Sequence, residues 1–328
     1  MTMAAETKTA RWKLGLGYGA FSLVAFFVCL FITFPYDTLR RRAVDAAADA
    51  GYALRIGSLR PGLRGLTATN VRISKVPNGM TPELHSMLAS GAGMMPGPEE
   101  LGEPLTLESA AVRPALLPLG AAFHLDLMGG SVSGNVGVLG DVQVAVKLSD
   151  LDTSKGNLKG FSGMDLTGKL NGALTLTLPK TRGQPDLSQA NGQLTLDTKE
   201  LLIQGGTITV PMYGQPTPMD LPKIALGDID GRIRIEKGLA TVEALQAKSE
   251  DLEVQGSGTV KLGQRLDVSQ PDMDFKLRAE PEFVKRLGLL GAGLSMLPTD
   301  KTDPKFRVAH LSGFFNRPNF GPPRPQMR

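Results

Sequence analysis

Cysteine is almost missing from this chain: 328 residues contain one, Cys29. A disulfide framework is therefore excluded in any compartment, and a chain this poor in cysteine suits an oxidising periplasm and a reducing cytoplasm equally. Cys29 does not mark a lipoprotein either, because Phe26, Phe27 and Val28 before it are bulky where a lipobox needs small residues. Histidine is scarce too. His85, His124 and His310 lie far apart and share no metal-ligand spacing. No serine sits in a G-x-S-x-G elbow, and the many carboxylates fall in turns and at alternating positions where solvation already requires them. Nothing nominates an enzyme, a metal or a cofactor. Charge of one sign is also lacking: the formal net charge is +4, and the one tight basic run, Arg40-Arg41-Arg42, adjoins an apolar stretch. Such a run meets lipid headgroups rather than bases, so nucleic acid is not an expected partner. Aromatics make up 5 % of the chain, whereas Gly (39) and Pro (23) are plentiful, a mixture that favours many short strands and turns over a helical bundle.

What the sequence does have begins at Leu14. Residues 14–34 run for twenty-one positions without a charged side chain. As a helix at about 1.5 Å per residue they reach about 31 Å, close to the ~30 Å hydrocarbon core of a bilayer. The run is too long for a signal-peptide core, and no small-x-small cleavage site follows it. It reads as a retained transmembrane signal anchor. Lys8, Arg11 and Lys13 precede it and Arg40 to Arg42 follow, so charge alone leaves the orientation nearly balanced. A short basic N-terminus before a large C-terminal mass places residues 1–13 in the cytoplasm and the rest outside. Gly15 and Gly19 form a G-x-x-x-G pair, a candidate docking face for a second membrane helix.

After the anchor, Asp37 to Ala50 reads as a helix with Asp37 as N-cap and Gly51 at C′. The period then becomes two. Val142 to Leu148, Leu174 to Leu178, Ile229 to Ile235 and Val254 to Leu262 each alternate aliphatic with polar or small residues, which gives each strand one apolar face. Asn171-Gly172-Ala173-Leu174-Thr175-Leu176 recurs as Asn191-Gly192-Gln193-Leu194-Thr195-Leu196, a turn-plus-strand unit of the kind that extends an antiparallel sheet hairpin by hairpin. Residues 76–104, rich in Pro, Gly and Met, read as a flexible surface insertion with one helical turn at Pro82 to Leu88. Pro281 to Leu297 reads as helical in its first half, Phe306 to Leu311 as a closing strand, and 316–328 as a Pro-rich exposed tail. Gly163 to Lys169 matches most of a P-loop, but Leu170 stands where magnesium binding needs Ser or Thr, and a strand follows instead of a helix. It reads as a chance match.

Two layouts could cover the apolar faces: a sandwich, or one long curved sheet with an open apolar concavity able to hold acyl chains. If Leu174, Leu176, Leu194, Ile233 and Val260 point into an open groove, lipid handling gains; if they meet a second layer, a docking or scaffold role gains.

Several segments together resemble the AsmA-like superfamily, and more closely the N-protein family of bacterial type II secretion systems (general secretion pathway protein N). They are Phe34-Pro35-Tyr36-Asp37-Thr38-Leu39 after the apolar helix, Ile56-Gly57-Ser58-Leu59 leading to Leu66 to Ile73, and Leu105 to Pro114 followed by the Phe123 to Val132 hairpin. Leu252 to Val260 and Leu311 to Pro318 are similar to the family's last repeat, whereas 77–104 matches nothing in it. The resemblance implies a mainly β protein: one transmembrane helix, then an elongated, curved antiparallel sheet over residues 35–315 with a few short helices. It implies a non-catalytic component in the bacterial inner membrane, single-pass, with its domain in the periplasm. Its implied partners are other type II secretion subunits, the secretin or the inner-membrane platform. An AsmA-type role implies instead phospholipid or lipopolysaccharide acyl chains in the apolar groove.

Overall fold

A computed structural model describes residues 36–62, 65–76, 81–90, 103–116, 119–162, 164–212 and 215–322, together with residues 18, 21, 22, 25 and 33. Most of 14–34, including Gly15 and Gly19, lies outside the described residues; Tyr18, Phe21, Ser22, Ala25 and Thr33 are helical. Among the described residues no helix is long and apolar enough to cross a membrane.

Alternating aliphatic and polar residues become strands of one large antiparallel sheet. Its path runs β1 (Tyr52–Gly62), β2 (Gly65–Lys75), β3 (Leu105–Leu116), β4 (Leu119–Leu127), β5 (Gly130–Gly137), β6 (Val142–Asp152) and β7 (Met164–Leu178). A two-residue hairpin follows, β8 (Lys180–Thr181) with β9 (Gln184–Pro185), outside the main sheet. The path resumes with β10 (Asn191–Met212), whose far end pairs with β11 (Gln215–Leu221) off the path. It finishes with β12 (Ile224–Glu236), β13 (Leu239–Lys248), β14 (Leu252–Lys261), β15 (Gln270–Ala279), β16 (Arg307–Phe314) and β17 (Arg317–Gly321). Strands along the path follow chain order, and the β2–β3 and β15–β16 connections are longer excursions that carry helices.

The repeated Asn-Gly units lie on β7 and β10, antiparallel neighbours with Leu174 opposite Leu194 and Gly172 opposite Leu196. The P-loop-like stretch from Met164 to Lys169 is interior β7, with Lys169 opposite Lys199.

A crease crosses β6, β7, β10 and β12. Asp150, Gly168, Glu200 and Gly227 have φ of 51°, 139°, 53° and 68°, and pairing slips beside them between β6 and β7, β7 and β10, and β10 and β12. Such bulges bend the strand that carries them and reset which alternate residues face inward. Leu194 and Leu196 of β10 therefore hand over to Ile203, and Val146 and Leu148 of β6 to Leu151.

Helices are few and sit at the sheet's margins. Helix α1 (Tyr36–Asp49) has Asp37 within its first turn rather than at its N-cap, and Gly51 follows it at φ +83°. Its Val44 is buried with Ala53, Val76, Leu84 and Leu88. The last two belong to α2 (Pro82–Ser90), so the helical turn expected at 82–88 is a full helix docked on α1 and β1. After α3 (Lys159–Ser162), the segment Pro281 to Leu297, expected to be helical in its first half, is helical in both, as α4 (Pro281–Arg286) and α5 (Leu289–Ser295), separated where Gly288 takes φ +58°. The closing strand is longer than expected, and residues 317–321, expected within an exposed tail, pair with β16 as the edge strand β17.

Candidate functional site

Residues directly opposite on antiparallel strands share a face. Register therefore sets Leu66, Val112, Phe123, Gly134, Val146, Leu174, Leu194 and Ile233 in one row across β2 to β12. The next row contains Val144, Leu176, Gly192, Ile235, Ala240 and Val260. Leu174, Leu176, Leu194, Ile233 and Val260 thus occupy a single face.

Their surroundings differ. Val260 is buried, in a cluster with Ala190, Ile235, Ala240 and Leu262 against which Leu176, Ile233 and Leu187 pack. Leu187 comes from a 3-10 turn, Leu187–Gln189, which closes the apolar face at the turn end of β7 and β10. At the other end of these strands, beyond the crease, Phe283 of α4 is fully buried on Ile203 and Ile224. Between these plugs Leu174 and Leu194 belong to no buried cluster, and Leu194 is 36 % exposed. Among the described residues the only other sheet is the β8–β9 hairpin, so no second sheet lies over this row.

Within the row lies a cleft of about 1020 Å³, bordered by Leu66, Val112, Phe123, Val146, Leu174 and their strand neighbours. That is at the upper limit of ordinary small-molecule pockets, about 300–1,000 Å³. Gly134 gives it depth: a Cβ there would meet Phe123 Cζ at 2.7 Å, so the ring lies across the glycine. An apolar occupant would remove the aliphatic part of this lining from water, with Arg113, His124 and Lys147 also bordering the cleft.

The polar face carries cross-strand ion pairs, including Arg234–Glu243 at 2.5 Å and Arg278–Glu253 at 2.5 Å, all part-exposed and each contributing little stability. A second cleft, about 1470 Å³, lies where residues 298–302 cross β14, β15 and β16. Within it His310 Nδ1 is 2.9 Å from Asp274 and Nε2 is 3.4 Å from Asp272. Asp300 accepts a hydrogen bond from Lys276 Nζ at 2.7 Å, which holds its carboxyl below the usual range. Both His310 nitrogens thus face carboxylates. Sequence reasoning missed this grouping because it needs the β15–β16 register, which sets Asp274 opposite His310. His124 contacts Asp126 at 3.1 Å in an exposed pair. Among the described residues no group of three or more His, Cys, Asp or Glu could hold a metal ion.

Compared with protein-family models, with curated proteins and with solved structures, the chain matches none.

Proposed function

We propose that this chain is a non-catalytic component of a type II protein secretion apparatus, anchored in the bacterial inner membrane by residues 14–34 with its sheet in the periplasm. The observation that carries the reading is architectural. One sequential antiparallel sheet with a single apolar face agrees with the elongated, curved AsmA-like domain that the sequence resembles; in this reading it works by contact rather than by chemistry. Its partners in this reading are the secretin or the inner-membrane platform.

One feature favours a second reading, a lipid-handling AsmA-type protein. Half-buried Leu174 and exposed Leu194 stand at the middle of the apolar face with no second sheet over them among the described residues, which suits phospholipid or lipopolysaccharide acyl chains. Photo-crosslinking in the native host separates the two. A photoreactive residue replaces Leu194 on the apolar face or Gln193 on the polar face. Adducts with secretion subunits, together with loss of exported protein when the gene is deleted, support the first reading. Lipid adducts at Leu194 and not at Gln193 support the second. Normal secretion in the deletion strain, with no subunit adduct at either position, ends the first.

A further inference from the structure

The strand order puts alternate turns at one end of the sheet. The β1–β2, β5–β6, β7–β10, β12–β13, β14–β15 and β16–β17 connections all lie there, while the start of β1, which follows α1, lies at the other end. An 11-residue strand at ~3.3 Å per residue separates the two ends by about 36 Å.

These turns are joined to one another. Gly238 N–H donates to Ala190 O at 2.9 Å, and Leu262 N–H donates to Gly238 O at 2.7 Å. Phe315 N–H donates to Ser269 O at 3.1 Å, and Asn316 N–H donates to Asp267 O at 3.0 Å. A rim pinned in this way holds its side chains in place, and it presents apolar ones to solvent: Leu239, Leu266 (62 % exposed), Val268, Phe314 and Phe315. Large aliphatic and aromatic side chains do not collect on fixed turns for solubility, and contiguous exposed apolar surface marks interaction sites.

Cations are interleaved with them. Residues 236–239, 261–269 and 314–317 contain Lys237, Lys261, Arg265 and Arg317 against Glu236 and Asp267, four positive and two negative. Arg265 and Asp267 already pair, at 2.9 Å. On the adjoining turn Lys180 and Arg182 face solvent beside Asp186, whose carboxylate is engaged by Ser188. Leucine, valine and phenylalanine tips among basic side chains are the composition that seats at the headgroup–acyl boundary of an anionic bilayer.

We infer that this rim docks on an anionic lipid surface, with Leu266, Val268 and Phe315 entering the interface and Lys237, Arg265 and Arg317 meeting headgroups. The inference takes its direction from the N-terminal anchor of the function proposed above: with one end of the sheet held at one membrane, the rim reaches a second.

The full chain, reconstituted into unlabelled vesicles, is mixed with fluorescent vesicles of phosphatidylcholine alone or of phosphatidylcholine with phosphatidylglycerol. Capture is read by co-sedimentation. The expected result is capture of the phosphatidylglycerol vesicles, weakened by salt and lowered about tenfold or more by Leu266→Asp with Phe315→Asp. Arg265→Glu with Arg317→Glu, an exposed charge reversal, brings capture down to the phosphatidylcholine level and decides the matter should the first pair disturb folding by circular dichroism. Equal capture by wild type and both pairs overturns the inference. So does no capture of either vesicle by a chain that has reconstituted. Failure of the anchor reading appears earlier and separately, as a chain that does not enter the first vesicles.

Discussion

Asp150, Glu200 and Lys237 adopt left-handed φ of 51°, 53° and 49°, which costs a non-glycine residue roughly 1–2 kcal/mol. Each is steadied in the same manner. The backbone N–H of Asp150 donates to Asn171 Oδ1 at 2.7 Å, that of Glu200 to Asp228 Oδ1 at 2.9 Å, and that of Lys237 to Asn191 Oδ1 at 2.9 Å. Asn171 and Asn191 open the two copies of the internal repeat, so the repeat preserves a cross-strand clasp as well as a strand. Asn191→Ala should lower unfolding free energy by about 1 kcal/mol in urea titrations. Glycine at such positions divides into two kinds. A Cβ at Gly227 (φ +68°) would stand 2.0 Å from Lys248 O, whereas one at Gly183 (φ +81°) meets nothing within 4 Å. Gly227→Ala should therefore cost about 2–4 kcal/mol and Gly183→Ala only the left-handed strain of about 1 kcal/mol, as compared by urea midpoints. Two carboxylates share a local motif as well. Asp152 and Asp186 each cap a 3-10 turn through the serine two residues on, and bonds to Ser154 and Ser188 lower their pKa values. A carboxylate depressed on folding stabilises the fold at every pH above its unfolded value of about 3.9, and that contribution fades as pH falls through the lower folded value. The urea midpoint should thus be flat near neutrality and drop below about pH 4, with a shallower drop in the Asp152→Asn, Asp186→Asn double variant.

At the scale of elements, period-two alternation made most strands legible, because it needs only one solvated face. Ile229 to Ile235 lies within β12, and Val254 to Leu262 follows β14 as far as its end at Lys261. The crease was not legible. When the inward set on β10 changes from Leu194 and Leu196 to Ile203, alternation in the sequence simply breaks, and a break resembles the end of a strand. Residues 317–321 misled in another way: Pro318 signals a tail, but an edge strand tolerates a residue without an N–H to donate. Thr198, 1 % exposed, shows what the crease requires, since its Oγ1 accepts the Ile229 N–H at 3.1 Å beside the slipped pairing. Thr198→Val keeps the volume and orphans that N–H, so it should cost about 1–3 kcal/mol, measured by thermal or urea denaturation.

For the molecule as a whole, the decisive fact is where the apolar face is covered. One buried cluster gathers around Val71, Leu107 and Leu151 and another around Ala190, Val242 and Val260; Leu174 and Leu194 belong to neither, while Ile233 at the end of their row packs against the second. A sheet whose strands touch mainly their neighbours behaves as a chain of coupled units rather than as one core. Leu107→Ala should therefore reduce hydrogen-exchange protection mainly in β1 to β6, and Val242→Ala mainly in β12 to β15, as followed by mass spectrometry; uniform loss across the sheet in either variant would show one cooperative core. The five residues singled out from alternation do share a face, but their exposure could not be read from sequence, because Leu194 and Val260 both sit in alternating stretches and yet one is exposed and the other buried.

The sequence by itself determined the strands and their apolar sides, since side-chain alternation is a local consequence of extended backbone. It also set apart an apolar N-terminal stretch, which holds the one cysteine, from a cysteine-free remainder. Only the tertiary structure decided which parts of that face are closed by Leu187 and Phe283 and which stand open, where His310 meets two carboxylates, and that separated turns join into one apolar, basic rim. Each of these depends on strand register, a relation between residues far apart in the chain that no local pattern encodes.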